Sequence, residues 1–356
     1  MDDVIATKKE MDMRYKLLGR SGLRVSEICL GAMTFGSDEG WCADKSESRA
    51  MFDAYVEAGG NFIDTADIYT QGESEKLVGE FVASDRERFV VATKYTNAFP
   101  GRNDANVAGN QRKNLRQSLD ASLKRLDLDY IDVYWVHNWD FTTPVDEVMR
   151  ALDDAVSAGK ILYIGLSDAP AWVTSRANTL AELRGWTQFV GMQLEYSLVE
   201  RSIEREHFPM CRDMDIAMTA WSPLASGMLS GKYTRGGSEA KRLDTLAFHD
   251  IDDRKLAIAR VVDSVADDIG VSSAQVALAW VRQRGTIPII GVRTLAQLHD
   301  NLGSLSVTLG IEHLAQLDAV SAIELGHPYD FFTKDLVKAL GTGGMGDLID
   351  NHRECR

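Results

Sequence analysis

The chain has 356 residues, 45% of them hydrophobic, and its 39 Lys and Arg against 53 Asp and Glu leave a formal net charge of −14. That balance argues against a nucleic-acid binder, which needs a basic surface to neutralise phosphates. Its four cysteines, Cys29, Cys42, Cys211 and Cys355, form no CxxC pair, which argues against a thiol zinc site or a disulfide framework.

In chain order, residues 1–13 are polar and Met-rich and are expected to be flexible. They lack the apolar core of a signal peptide, and no apolar run approaches the roughly 18 residues of a membrane span, so the expectation is a soluble, cytoplasmic protein. Residues 14–28 read as a short extended pair folded about Gly19 to Gly22. Beyond it, short runs rich in Val, Ile and aromatics alternate with segments of helical period. Strands are expected at 28–31, 61–64, 89–93, 131–136, 161–166, 189–192, 216–220 and 287–290.

The helices fall between these runs. Asp44 with Glu47 forms a capping pair before a helix that stops at Gly59. Leu115, Leu119, Leu123 and Leu126 make one apolar stripe. Thr143 followed by Pro144 reads as an N-cap with proline at the first helical position, and that helix ends at Gly159. Segments 253–267 and 272–284 are helical, and Thr294 with Gln297 is a second capping box. One irregular insert spans 233–250. Eight strand–helix steps with buried-type strands imply a closed α/β (β/α)8 TIM barrel with an N-terminal β-hairpin. The expected organisation is one barrel over 14–325 and a tail over 326–356 that contributes to the substrate rim.

The rival is a doubly wound dinucleotide fold. The chain does contain a G-x-G-x-x-G, at Gly341, Gly343 and Gly346, but no strand precedes it and too little chain follows for a βαβ unit. The histidines show no clustered ligand spacing, so no metal is expected.

In a barrel, chemistry sits where the strands end. Strand two ends in Asp64 with Tyr69 five residues on, strand three in Lys94 and strand four in His137. A phenol with a pKa near 10 is a weak acid, and an adjacent ammonium lowers that value. Asp64 supplies the counter-charge a buried Lys94 needs, and His137 adds a donor that orients a carbonyl oxygen. The set suits protonation of a carbonyl oxygen while hydride reaches its carbon, or the reverse. Hydride requires an external carrier.

These residues lie in NFIDTADIY, VVATKY and SLKRLDLDYIDVYWVHNWD; AWSPLASGMLSGKY and IPIIGVRTLAQLHDNL follow. In order and spacing the chain thereby resembles the aldo-keto reductases from Tyr15 to about Leu302, in particular the branch with aryl-alcohol dehydrogenases and potassium-channel β subunits. The resemblance implies a tetrad of Asp64, Tyr69, Lys94 and His137, and a nicotinamide cofactor, NADP(H) with NAD possible, lying extended across the barrel mouth. Carried over one by one, Gly31, Ala32, Met33 and Asp64 would lie by the nicotinamide ribose. Ser167, Asp168 and Gln193 would meet the carboxamide, and Trp221 would stack on the ring. Ser222, Pro223, Leu224, Ser226, Gly227 and Lys232 would follow the pyrophosphate, with Arg242 closing over it. Gly291, Arg293, Gln297, Asp300 and Asn301 would take the adenosine end, beside a helix N-terminus suited to phosphate.

Two departures from the family pattern matter. Asp168 stands where Asn is usual, and Gly291 and Gln297 stand where cations commonly read the 2′-phosphate, which leaves Arg293 for that role. Lys94, Lys232, Arg242 and Arg293 are then the cations that an anionic cofactor would need on an acidic chain. For the substrate, the rim residues expected are Phe35, Trp41, Tyr95, Phe99 and Trp139, with Tyr329, Phe331 and Phe332 from the tail. An aromatic rim suits a bulky or aromatic aldehyde, ketone or alcohol. A redox-sensing regulatory subunit with little turnover is the alternative, and a metal-dependent barrel hydrolase a third reading disfavoured by the missing ligand cluster.

Overall fold

A computed structural model describes residues 13–36, 42–99, 101–236 and 251–350. Residues 1–12, Trp41, Arg242 and 237–250 of the insert therefore lie outside the described residues. Strands β1 (Tyr15–Leu17) and β2 (Arg24–Ser26) pair antiparallel as the expected hairpin. Its turn needs Gly19, which sits at φ +54° with the Val190 carbonyl 2.3 Å from where a Cβ would be. Leu18 and Val25 pack with Phe62, Val90, Val133 and Ile287, so the hairpin closes the bottom of the barrel.

The barrel follows: β3 (Cys29–Gly31), α1 (Lys45–Glu57), β4 (Phe62–Asp64), α2 (Glu73–Val82), β5 (Val90–Tyr95), α3 (Arg112–Leu126), β6 (Ile131–Val136), α4 (Val145–Ser157), β7 (Ile161–Ser167), α5 (Ala171–Arg184), β8 (Phe189–Glu195), α6 (His207–Met214), β9 (Ala217–Trp221), α7 (Asp253–Ile269), α8 (Ser273–Gln283), β10 (Ile287–Gly291), α9 (Leu295–Gly303) and α10 (Ile311–Ser321). The strands are parallel and close in the order β10-β3-β4-β5-β6-β7-β8-β9. It is the expected (β/α)8 barrel, with the expected hairpin.

Strand periodicity divides the core. Leu30, Ile63, Val91, Tyr134, Ile164 and Ile290 face the helices, whereas Cys29, Phe62, Ala92, Val133, Trp135 and Ile289 fill the lumen. The largest lumen residue, Trp135, occupies space left by two glycines: a Cβ on Gly165 would meet its ring at 2.1 Å, and one on Gly191 at 2.9 Å. The lumen phase then carries forward to the strand ends, at Gly31, Asp64, Lys94, Ser167, Gln193, Trp221 and Gly291.

Capping follows the sequence at α1, where Asp44 accepts from Glu47 N at 2.9 Å, and at α9, where Thr294 accepts from Gln297 N at 3.3 Å. It differs at α4. Pro144, not Thr143, is the N-cap residue, because the Thr143 hydroxyl is engaged by Asp140 Oδ2 at 2.7 Å. The tail forms α11 (Tyr329–Phe332) and α12 (Asp335–Gly341). Gly341, Gly343 and Gly346 lie at and beyond the end of α12, outside any strand–helix turn. Among the described residues no helix is long and apolar enough to cross a membrane.

Candidate active site

Strands β4, β5 and β6 are neighbours, which brings their ends together. Lys94, fully buried, donates from Nζ to the Asp64 carboxylate, to the Thr65 carbonyl at 2.8 Å and to the Tyr69 hydroxyl at 3.2 Å. Asp64 also accepts from Gln193 Nε2 at 3.0 Å, so two donors fix its carboxylate. Tyr69 follows β4, and its own N–H donates to the Ala66 carbonyl. Thr70 and Gln71 behind it both stand at positive φ, +43° and +56°. Such strain persists where surrounding contacts over-determine it, and here Thr70 Oγ1 donates to the Phe35 carbonyl at 2.7 Å and accepts from Ser74 N at 2.9 Å. The His137 ring meets the Tyr69 ring edge-on, centroids 5.8 Å apart, and the backbone N–H of His137 donates to the Tyr95 carbonyl at 2.9 Å.

The electrostatics correct one sequence expectation. Burial raises the Tyr69 phenol above its ordinary value, and Lys94 offsets that only in part, with Asp64 and Asp168 adding to the rise. The phenol is thus protonated at neutral pH rather than poised towards phenolate. Burial would lower Lys94, but Asp64 and Tyr69 outweigh it, so the ammonium stays charged. Burial and then Lys94 push His137 down to about 3, leaving a neutral imidazole, and its buried Nδ1 has no hydrogen-bond partner. A protonated phenol and an open imidazole nitrogen at the mouth form a donor pair for one oxygen atom.

The residues expected at a cofactor occupy the adjoining strands β7, β8, β9, β10 and β3. Ser167 and Gln193 are buried register partners. Asp168 follows β7, and its Oδ1 accepts from Trp221 Nε1 at 3.0 Å. Beyond β9, Ser222, Ala225, Ser226 and Gly227 all have positive φ, between +49° and +92°, and Ser226 N donates to Ser222 Oγ at 3.2 Å. The N–H groups of Ala225 and Gly227 donate in turn to the Ser222 carbonyl at 2.8 Å and the Leu224 carbonyl at 2.9 Å, so these residues form a tight, internally bonded turn. Pro223 is buried, with Leu224 and Lys232 half-buried beside it.

On the opposite flank Gly31 is buried, with Ile289 Cγ2 2.9 Å from where a Cβ would be, Ala32 is fully buried and Met33 half-buried. Gly291 is exposed, Arg293 precedes the N-terminus of α9, and the Gln297 side chain accepts from Arg293 N at 3.0 Å. Asn301 is buried, and the Asp300 carboxylate accepts from Gln275. The turn after β9 and the N-terminus of α9 follow neighbouring strands β9 and β10, and Leu295 N at that helix end donates to Glu47 Oε1 at 3.1 Å.

Three of the expected substrate residues, Phe35, Tyr95 and Trp139, do not line an open rim, whereas Phe99 is half-buried. Phe35 and Tyr95 are fully buried and Trp139 is 7% exposed. Each belongs to the core between barrel and helices, where Phe35 packs on Phe81 and Tyr95 stacks on Tyr134 at 5.3 Å. Tyr95 alternates with Lys94, so one side chain in the lumen sends the other outward. Among the described residues, the exposed aromatics near the strand ends of the barrel are instead Phe141, after β6, and Trp172, at the start of α5. Both stood in the sequence, in HNWDFTTP and SDAPAW, but nothing in their spacing separates an exposed ring from a packed one. Phe331 and Phe332 of the tail are exposed as well, and burial together with the Glu206 carboxylate ahead of α6 raises the Tyr329 phenol above its ordinary value.

A buried network behind the tetrad had no sequence signal of its own. Glu75 accepts from Thr93 Oγ1 at 2.6 Å and from Arg125 Nε at 2.5 Å. Asp67 lies 2% exposed, with an unpartnered Oδ1. Burial and Glu75 push its carboxyl up to about 8, so it is neutral at pH 7.

Residues 27–322 match the Aldo/keto reductase family. The norsolorinic acid reductase stcV of Emericella nidulans is 38% identical over 324 residues, covering 87% of this chain and 82% of that protein. A norsolorinic acid reductase B of Aspergillus parasiticus is 36% identical over 92% of this chain and 90% of its own length. An aryl-alcohol dehydrogenase of Pestalotiopsis microspora, GME11368, is 36% identical over 93% and 86%.

Proposed function

This chain belongs to the aldo/keto reductase family, an oxidoreductase family acting on carbonyl substrates, and from that premise we propose that it transfers hydride between NADP(H) and a bulky or aromatic aldehyde or ketone, or the corresponding alcohol, with Tyr69 as the acid and base. The observation that carries this reading is Lys94, which touches both Asp64 and the Tyr69 hydroxyl. When bound, the nicotinamide supplies the hydride that no side chain can.

Tyr69 Oη donates to the carbonyl oxygen and gives up its proton as negative charge develops there. Lys94 holds the resulting phenolate, a charge that burial alone would make costly. Asp64 and Gln193 keep the ammonium in place. His137, neutral at working pH, offers a second hydrogen bond to the same oxygen and orients the carbonyl. In the direction of alcohol oxidation the Tyr69 phenolate takes the hydroxyl proton. Ser167, Gln193 and Trp221 would hold the nicotinamide, Trp221 by its indole face, and the 222–227 turn with Lys232 would meet the pyrophosphate.

Arg293, at the N-terminus of α9, supports NADP over NAD because cation and helix end there act together on a phosphate. Two relatives are named for norsolorinic acid and one for aryl alcohols. With Phe141 and Trp172 exposed near the strand ends, and Phe331 and Phe332 exposed on the tail, they support an aromatic substrate. The test is a panel of aryl aldehydes, ketones, sugars and steroids, assayed by loss of NADPH absorbance and repeated with NADH. Efficient reduction of aryl carbonyls is expected. Turnover of sugars or steroids alone removes the substrate class, and the absence of hydride transfer to any carbonyl favours the regulatory reading.

A further inference from the structure

Asp168 is held at the mouth by more than its side chain. It stands at φ +39°, left-handed for a non-glycine residue; its N–H donates to the Gln193 carbonyl and its own carbonyl accepts from Trp139 N, both at 3.2 Å. The backbone thus fixes a carboxylate above the lumen, with Oδ1 on the Trp221 indole at 3.0 Å. The charged and titratable groups acting on it are Glu195 from the end of β8, Lys94 from β5 and Tyr69 from the loop after β4. The one cation among these, Lys94, is already held by Asp64. Among the described residues the Lys94 charge is thus balanced by Asp64, and the Asp168 carboxylate stands beside whatever lies between Trp221 and Tyr69.

We propose that the Asp168 carboxylate makes this site bind the oxidised, cationic nicotinamide in preference to the neutral reduced ring. The inference rests on the function proposed above and adds a direction to it. A hydride donor must reach the carbon whose oxygen Tyr69 holds, which confines the reacting ring to the field of Asp168. Oxidation then places a positive charge on a ring in a partly dry site, where Coulomb attraction is stronger than in water. The favoured reaction is carbonyl plus reduced nicotinamide plus a proton giving alcohol plus oxidised nicotinamide. Hydride leaves the ring for the carbonyl carbon, and the Tyr69 proton goes to its oxygen. Any factor by which the site prefers the oxidised ring multiplies the equilibrium of that transfer on the protein. Burial, with Glu195, raises the Asp168 carboxyl to about 6, against the opposing Trp221 hydrogen bond and Lys94. The preference should accordingly fade as pH falls through that value.

The experiment measures Kd for NADP+ and for NADPH by fluorescence titration, on the wild-type chain and on Asp168→Asn, at pH 8 and pH 5. Asparagine still offers Trp221 an acceptor, so the substitution removes charge and keeps shape. The 2′-phosphate is common to both forms and cancels in the ratio. The expected result is that Kd(NADPH)/Kd(NADP+) falls roughly three- to tenfold in Asp168→Asn at pH 8. The wild-type ratio should fall towards the variant's at pH 5, while the variant's ratio holds. A ratio unchanged by the substitution, or a wild-type ratio indifferent to pH, overturns the proposal. Binding of neither form to the wild type overturns the proposed function with it.

Discussion

The Lys94 ammonium lies 3.2 Å from the Tyr69 hydroxyl and 4.7 Å from the centre of its ring, so one buried cation touches both the acidic oxygen and the face of the same side chain. Its counter-ion Asp64 is on the neighbouring strand, at 3% exposure. Removing one member of such a pair leaves a bare buried charge, at a cost of about 3–5 kcal/mol.

Lys94→Met should therefore lose both stability and turnover. Adding Asp64→Asn to Lys94→Met should restore much of the melting temperature, because no buried charge is then left alone, and none of the turnover. Denaturant melts and a carbonyl reduction assay on the single and double variants check this; activity returning with stability would reduce Lys94 to a structural ion.

Asp67→Asn should stabilise the protein, increasingly as pH rises. The folded carboxyl, raised to about 8, keeps a proton that an unfolded aspartate releases near 4. Its burial therefore costs least below about pH 4 and most above about pH 8, by a few kcal/mol. Melting temperatures from pH 5 to 8.5 should show a gain for Asp67→Asn that widens with pH; a constant or shrinking gain contradicts it.

Gly165→Ala should destabilise the barrel by about 1–3 kcal/mol or more, because its Cβ would stand 2.1 Å from Trp135 ring carbons. Trp135→Phe in the same chain should recover part of the loss. Trp135 Nε1 has no hydrogen-bond partner to forfeit. Strictly additive losses in the double variant would show that the two positions do not compete for space.

Arg293→Ala should weaken NADP+ binding far more than NAD+ binding, measured by titration of each. Equal weakening assigns the 2′-phosphate to another group.

The barrel was legible because eight short apolar runs rich in Val, Ile and aromatics alternate with segments of helical period, and because capping pairs such as Asp44 with Glu47 mark helix starts. The strand ends were less so. Expected strands stopped at Thr93, Leu166 and Met192, whereas β5, β7 and β8 run on to Tyr95, Ser167 and Glu195. An apolar run ends at its first polar residue, but the backbone ladder continues through Lys94 and Gln193, whose side chains face the mouth. The tetrad residues could be read singly because they stand at those ends. What the sequence did not carry was sidedness in three dimensions: that Phe35 and Tyr95 pack outward, that Gln193 reaches Asp64, and that Trp221 bonds Asp168 across the mouth. Each depends on partners far along the chain.

The central claim is that Tyr69 supplies the proton as hydride arrives. Single-turnover mixing of the protein–NADPH complex with an aryl aldehyde, followed by NADPH absorbance, tests it in wild type and Tyr69→Phe. The account predicts rapid oxidation of NADPH in the wild type and a rate about 10²–10⁴-fold lower in the variant, with NADPH affinity within roughly twofold because the lost hydroxyl faces the substrate oxygen. Hydride transfer at the wild-type rate in Tyr69→Phe would contradict it.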